Sequence, residues 1–194
     1  MMVWLVRAGW LAWPIGACAF LGLTLFIDRW IALSARRLLP DSLRAEALVA
    51  VREGRVEPLL GQVDQHAVRS LLAALAGPRE DVRARMAAAG AQVVAGIERG
   101  VGWLATIASI APLLGLTGTI LGMIEVFQRV TGAGVGDPTV LAGGIWVALI
   151  TTVLGLLVAI PCLVLHRLLL GRVDARVNEF EVFAEALVRA AERS

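Results

Sequence analysis

The chain has little charge, only two histidines and two cysteines, and no tyrosine. Charged residues make up 18% of its 194 residues, whereas 58% are apolar and the mean hydropathy is +0.78. This shortage of charge argues against a soluble globular domain. The net charge of +2 is too small to indicate nucleic-acid binding, and no basic cluster is interleaved with aromatic residues.

The sequence also lacks the patterns on which catalysis and metal binding depend. No glycine-rich phosphate loop, no zinc-ligand cluster and no nucleophile with its base can be assembled from it. His66 lies in a charged stretch and His166 at the end of an apolar one, so neither is expected to be a ligand. Cys18 and Cys162 lie inside apolar stretches and are interpreted as packing residues. We therefore expect no enzymatic activity, no metal site and no cofactor.

Three stretches contain no acidic or basic residue: 8–27, 100–124 and 138–165. Each is long enough for a membrane-spanning helix, which needs about 20 residues. The first stretch, preceded by Arg7, also resembles a secretory signal, but it continues to residue 27 and then meets Asp28 and Arg29. We therefore expect it to be kept as a transmembrane helix.

These stretches predict an all-α integral membrane protein whose three transmembrane helices are extended by cytoplasmic helices. Arginine sets the orientation, since 11 of the 18 arginines lie in residues 28–99 and five follow residue 165. The predicted segments are a periplasmic N-terminus (1–9), transmembrane helix 1 (10–27), a cytoplasmic helical loop (28–100), transmembrane helix 2 (101–126), a periplasmic loop (127–139), transmembrane helix 3 (140–165) and a cytoplasmic C-terminal helix (166–194).

The cytoplasmic segments show helix signals of their own. Pro40-Asp41-Ser42 predicts a helix start and Gly54 its stop, and a second helical pattern covers residues 63–76. From Arg79 onward only isolated glycines interrupt the pattern, which leaves open a helix that runs without a break into the second span. After the third span, an apolar stripe predicts an amphipathic helix: Val173, Val177, Phe180, Ala184 and Leu187.

Small residues and threonines recur at helical spacing in the second and third spans. The second span carries Ala108, Pro112, Gly115, Thr119 and Gly122, and the third carries Ala148, Thr152, Gly155 and Ala159. Such stripes either let two helices approach closely or face a narrow cavity. The threonine hydroxyls either bond to the preceding turn or line a polar path, and spacing alone leaves both readings open.

A threonine hydroxyl donates and accepts hydrogen bonds but does not titrate in the physiological range. A proton path through these spans would therefore need a carboxylate from elsewhere, because intramembrane acids usually have a function and none lies centrally here. Glu125, at the outer edge of the second span, is the nearest carboxylate.

Two long motifs resemble the MotA/TolQ/ExbB proton channel family, and its ExbB/TolQ branch most closely. The first is LATIASIAPLLGLTGTILGMI at residues 104–124, and the second is GIWVALITTVLGL at 144–156, followed by Ala159-Ile160-Pro161. Together with Gly9-Trp10-Leu11, Pro14-Ile15 and the Asp28-Arg29 pair, the resemblance covers nearly the whole chain in order.

The resemblance implies a bacterial inner-membrane homo-pentamer whose second and third helices line a central pore. Inside the pore it implies two helices of a single-span ExbD/TolR-type partner, whose aspartate carries the proton. It further implies work transmitted to a TonB- or TolA-like protein. The polar threonines of the family motifs fall on Thr119 and Thr152. The expected pathway also includes Ala148, Gly115, Gly122 and Gly155, with Glu125 and Thr151 as accessory residues.

One position departs from the family pattern. Members often carry a glutamate in the third span between the Gly-Ile and Ala-Leu pairs, where this chain has Val147. The loss is compatible with altered gating, with compensation by Glu125, or with weakened conduction. Val147 and the lack of a titratable group at mid-membrane also allow a non-conducting membrane scaffold of such a complex. A MotA-type stator subunit is a further option within the family. The stator fits less well, because MotA-type proteins resemble four-span chains.

Overall fold

The computed structural model describes residues 12–34, 39–61, 63, 65–76, 81–133 and 138–193. Within these ranges the regular structure is helical and no strand occurs, which confirms the all-α prediction. The helices in chain order are α1 (Ala12–Ala32), α2 (Asp41–Arg52), α3 (Val56–Leu60), α4 (His66–Leu75), α5 (Val82–Glu98), α6 (Gly102–Ala133) and α7 (Pro138–Glu192).

Three of the described helical segments are long and apolar enough to cross a membrane, as predicted. They comprise α1 and the apolar parts of α6 and α7. Their outward faces carry large apolar side chains, among them Phe20, Leu113 and Leu157, each more than half exposed within the chain. Such faces are stable only in lipid or against another apolar surface. The chain is therefore an integral membrane protein.

The chain divides into two compact units. The first comprises residues 1–27 and 100–168 and holds most of α1, all of α6 and the N-terminal half of α7. The second comprises residues 28–99 and 169–194 and holds α2 to α5, the end of α1 and the C-terminal part of α7. The first unit thus contains the charge-free stretches, and the second contains most of the arginines.

In the first unit, α1 packs against the other two long helices at Gly22. A β-carbon at this position would lie 2.7 Å from the Cys162 sulfur of α7 and 3.7 Å from the Ile107 Cγ2 of α6. A larger residue at this position would therefore force the Cys162 side chain to shift. Cys162 is buried and reduced, in agreement with its interpretation as a packing residue.

In the second unit, large apolar side chains form the core. Val68, Leu71 and Leu72 of α4 are fully buried, as are Phe183 and Leu187 of α7. The predicted stripe of the C-terminal helix is buried at Val173, Phe180 and Leu187. The apolar stripe of the C-terminal helix is therefore a packing face, as predicted.

Glycine and proline set the helix ends in the second unit. Pro40 has extended backbone angles (φ −62°, ψ 140°) and α2 begins at the next residue, with Asp41 in its first turn. Gly54, at φ +68°, follows the end of α2, as predicted. The second predicted cytoplasmic helix is shorter than expected, since α4 begins at His66 and ends at Leu75.

Gly100 separates α5 from α6, so the helix before the second span does not continue into it. Helix α5 ends at Glu98, Gly100 takes a φ of +85°, and α6 begins at Gly102. Only glycine adopts this backbone region without strain, so a single uninterrupted helix is wrong.

Both long helices continue beyond the predicted spans. Helix α6 extends to Ala133, and α7 begins at Pro138. The segment predicted as a loop at 127–139 is therefore helical at both of its ends. Residues 134–137 lie outside the described ranges. An ion pair between Glu125 and Arg129, one turn apart at 2.5 Å, supports the extension. Helix α7 runs unbroken for 55 residues and joins the predicted third span to the C-terminal helix.

Candidate functional site at the crossing of α6 and α7

Two glycines bring the backbones of α6 and α7 into direct contact. A β-carbon on Gly155 of α7 would lie 2.6 Å from the carbonyl oxygen of Ala111 in α6. A β-carbon on Gly115 of α6 would lie 2.9 Å from the carbonyl oxygen of Thr151 in α7. Neither backbone atom can move aside as a flexible side chain would, so both positions require glycine.

Further small residues extend this contact along both helices. At Gly122 a β-carbon would lie 3.0 Å from the Ala148 β-carbon, and at Gly144 it would overlap a methyl group of Val126. At Gly118 it would lie 2.6 Å from the Thr151 β-carbon. We call this set the small-residue seam: Ala111, Gly115, Gly118 and Gly122 of α6 with Gly144, Ala148, Thr151 and Gly155 of α7.

Two consecutive threonine hydroxyls lie at the centre of the seam and reach the same carbonyl oxygen. Thr152 Oγ1 donates to the Gly115 carbonyl of α6 at 3.2 Å. Thr151 Oγ1 donates to the Ala148 carbonyl of its own helix at 2.7 Å and lies 3.4 Å from the Gly115 carbonyl. Thr151 is 2% exposed and is the one buried polar side chain of the described residues, whereas Thr152 is half-buried.

The other predicted threonine bonds within its own helix. Thr119 Oγ1 donates to the Leu116 carbonyl at 2.7 Å, and its side chain is half-buried. Thr106 and Thr117 likewise donate to carbonyls one turn back and are exposed. Such back-bonding satisfies a hydroxyl in lipid without any partner helix. Thr152 therefore differs from Thr119 in reaching across the crossing.

The stretches of α6 and α7 that cross carry no charged side chain. The stretches 100–124 and 138–165 contain no acidic residue, and Glu125, beyond the first of them, is exposed and paired with Arg129. Val147, which stands where a family glutamate is expected, is half-buried. The chemistry available at the crossing is thus hydrogen-bond exchange by hydroxyls and backbone carbonyls, without a titrating group.

The structure brings most of the predicted site residues together. Gly115, Gly122, Ala148 and Gly155 lie in the small-residue seam between two helices of one chain, which supports the close-approach reading of the stripes. Whether this seam also borders a pore stays a prediction.

Sequence reasoning missed Gly118. Gly118 lies three residues after Gly115 and four before Gly122, so its helical spacing was a signal for the same helix face. Thr151, expected only as an accessory residue, occupies the most buried polar position.

Comparisons with known proteins place these features in a family. The model of the MotA/TolQ/ExbB proton channel family matches residues 59–182. The biopolymer transport protein exbB1 of Vibrio cholerae is 29% identical over 205 aligned residues, covering 97% of this chain and 90% of that protein. The Tol-Pal system protein TolQ of Haemophilus influenzae is 39% identical over 85 residues, covering 44% of this chain and 36% of TolQ.

A solved structure shares the fold. The structure of C. jejuni MotAB matches with a TM-score of 0.60 at 17% identity, over 93% of this chain and 76% of that one. Both the small-residue seam and its two hydroxyls lie within the residues that the family model matches. The chain belongs to the MotA/TolQ/ExbB proton channel family.

Proposed function

We propose that this chain is the channel-forming subunit of an ExbB/TolQ-type complex of the bacterial inner membrane, driven by the proton motive force. The observation that carries the proposal is the Thr152 hydroxyl, which lies at a backbone-to-backbone helix crossing inside two charge-free spans. A hydroxyl that is half-buried and bonded across helices is positioned by the fold. It is also able to exchange its hydrogen bond with a neighbouring group.

Residues 100–124 and 138–165 contain no acidic residue, so a proton carrier inside the membrane would have to come from outside the chain. Proton transfer through lipid requires a titrating group, and intramembrane carboxylates commonly fill that role. We propose a single-span ExbD/TolR-type partner whose aspartate enters a pore formed by five copies of this chain. The complex would act on a TonB- or TolA-like protein, with the N-terminus periplasmic and the C-terminus cytoplasmic.

The pathway residues would have different tasks. Thr152 and Thr119, both half-buried, would offer hydroxyls to the partner's carboxyl group. Gly115, Gly122, Ala148 and Gly155 would support the wall of the path by holding α6 and α7 together, because only small residues let the two helices approach closely enough for Thr152 to reach the Gly115 carbonyl. Glu125, paired with Arg129 at the far edge, would serve as an accessory charge.

The direct test is Thr152→Val, which keeps the side-chain shape and removes the hydroxyl. In vesicles that contain the chain with its single-span partner, we expect proton flux to fall about tenfold or more, as for the loss of one strong hydrogen bond in a rate-limiting step. Thr24→Val is the matched control, since this exposed hydroxyl of α1 donates to the Phe20 carbonyl one turn back. Equal flux in the wild type and the Thr152→Val variant would refute the assigned role.

Val147 favours a second candidate function, a non-conducting scaffold. The side chain at this position is apolar, so one group that members of the family often carry near the path is missing. A scaffold would assemble with the same partner and conduct no protons. Measuring flux with and without the partner separates the two functions, because only a channel subunit gives flux that depends on it.

A further inference from the structure

The expected pathway gives Thr151 only an accessory place, although it is the most buried polar side chain of the described residues. It is 2% exposed and wedged against Gly118, where any added β-carbon would overlap its hydroxyl oxygen. An alanine or valine would fill this site without the cost of burying a hydroxyl. The hydroxyl therefore calls for an explanation beyond packing.

The two threonines share one acceptor. A hydroxyl has a single hydrogen, so Thr152 donates either to the Gly115 carbonyl or to a group on its exposed side, not to both. In the described state it donates to Gly115 at 3.2 Å, and Thr151 donates to Ala148 at 2.7 Å. The Thr151 oxygen already lies 3.4 Å from the Gly115 carbonyl, so both acceptors are within its reach.

We propose that Thr151 is a positioning residue that takes over the Gly115 carbonyl whenever the Thr152 hydroxyl turns toward the pore. This inference rests on the proposed channel function. Before the exchange, Thr152 donates to Gly115 and Thr151 to Ala148; afterwards, Thr152 donates to the pore group and Thr151 to Gly115. The Ala148 carbonyl keeps its helical donor, the backbone N–H of Thr152 four residues later.

The exchange leaves no buried group without a hydrogen bond. It needs rotation of two hydroxyl hydrogens and a shortening of the 3.4 Å contact, without a change in the backbone contact at Gly115 and Gly155. When Thr152 turns away, the Gly115 carbonyl loses its side-chain donor and keeps only its helical one, so a substitute donor lowers the barrier for releasing Thr152. Thr151 thus makes the Thr152 hydroxyl available repeatedly while the helix crossing stays fixed.

The test compares Thr151→Val with Thr151→Ser in vesicles that contain the chain and its single-span partner. The valine keeps both branches at Cβ but removes the hydroxyl, and the serine keeps the hydroxyl. We expect proton flux to fall about fivefold in the valine variant and to stay within about twofold of wild type in the serine variant. The unfolding temperature in detergent is measured on both variants, to check that the valine variant remains folded.

The outcomes separate this inference from the proposed function. Wild-type flux in the valine variant, or equal losses in the valine and serine variants, would overturn the hydroxyl exchange, while a loss in Thr152→Val would still support the channel. If Thr152→Val also conducts normally, the proposed function fails first. If the valine variant loses flux only in proportion to a loss of folded protein, Thr151 has a structural role alone and the exchange is refuted.

Discussion

The two compact units of this chain use opposite means to hold helices together. In the first unit, α6 and α7 meet through glycines and alanine, with backbone atoms so close that a β-carbon at Gly155 would lie 2.6 Å from a carbonyl oxygen. In the second unit, fully buried Phe183, Leu187 and Leu72 fill the space between helices. Lipid is as apolar as leucine, so a membrane helix gains little from burying large side chains and more from close approach. In water, burial of large apolar groups is the main driving force.

The difference predicts opposite sensitivities to mutation. An added carbon would clash in the small-residue seam. In the core of the second unit, removal of a buried carbon would leave a cavity and destabilise the packing. The close contact between α6 and α7 also suits a functional hydroxyl, because short side chains bring the Thr152 hydroxyl within reach of the Gly115 carbonyl on the other helix. The following mutations test this contrast, from the largest expected effect to the smallest.

Gly155→Leu should have the largest effect. Its side chain would be forced into the Ala111 carbonyl, so α6 and α7 would separate and the protein would fail to assemble in the membrane. Gly143→Leu is the control on the same helix, since nothing lies within 4 Å of a β-carbon there. Yield of folded protein after detergent extraction measures both. A normal yield of the Gly155→Leu variant would show that the crossing is looser than described.

Phe183→Ala should destabilise the second unit by about 3–5 kcal/mol, the usual cost of deleting a buried aromatic side chain. Val182→Ala, at a half-exposed position one residue earlier, should cost far less. Thermal unfolding followed by circular dichroism compares the two variants. Similar shifts in unfolding temperature for both would argue against Phe183 as a core residue.

The ion pair between Arg83 and Glu192 should have the smallest effect. Arg83 donates through Nε and one terminal nitrogen to a single carboxylate oxygen of Glu192, at 3.0 and 2.8 Å, and both side chains are exposed. A double-mutant cycle with Arg83→Ala and Glu192→Ala should give a coupling energy below about 1 kcal/mol, falling further with salt. A larger, salt-independent coupling would mean that the pair is shielded from water in the assembled protein.

Much of the fold was readable from the sequence because it depends on patterns with a known period. Charge-free stretches marked the three spans, and the spacing of Val173, Phe180 and Leu187 marked the packing face of the C-terminal helix. The break at Gly100 was left open by the sequence, because an isolated glycine is tolerated in helices and nothing local forces it to a positive φ.

The site was predicted less completely than the fold. On α6, the stripe through Thr119 and the stripe through Gly118 have the same spacing, so periodicity does not say which one meets α7. The choice is made by the partner helix, where Thr151 needs a glycine opposite it. That pairing is a tertiary contact between residues far apart in sequence, and only the structure reveals it.

Proton flux into vesicles, recorded with a pH-sensitive dye after a pH jump, tests the central claim most directly. The chain alone and the chain with its single-span partner are compared at equal protein content. Because the chain has no carboxylate at the centre of its spans, we expect flux only when the partner is present and the partner's intramembrane acid is intact. Equal flux without the partner, or none with it, would contradict the claim.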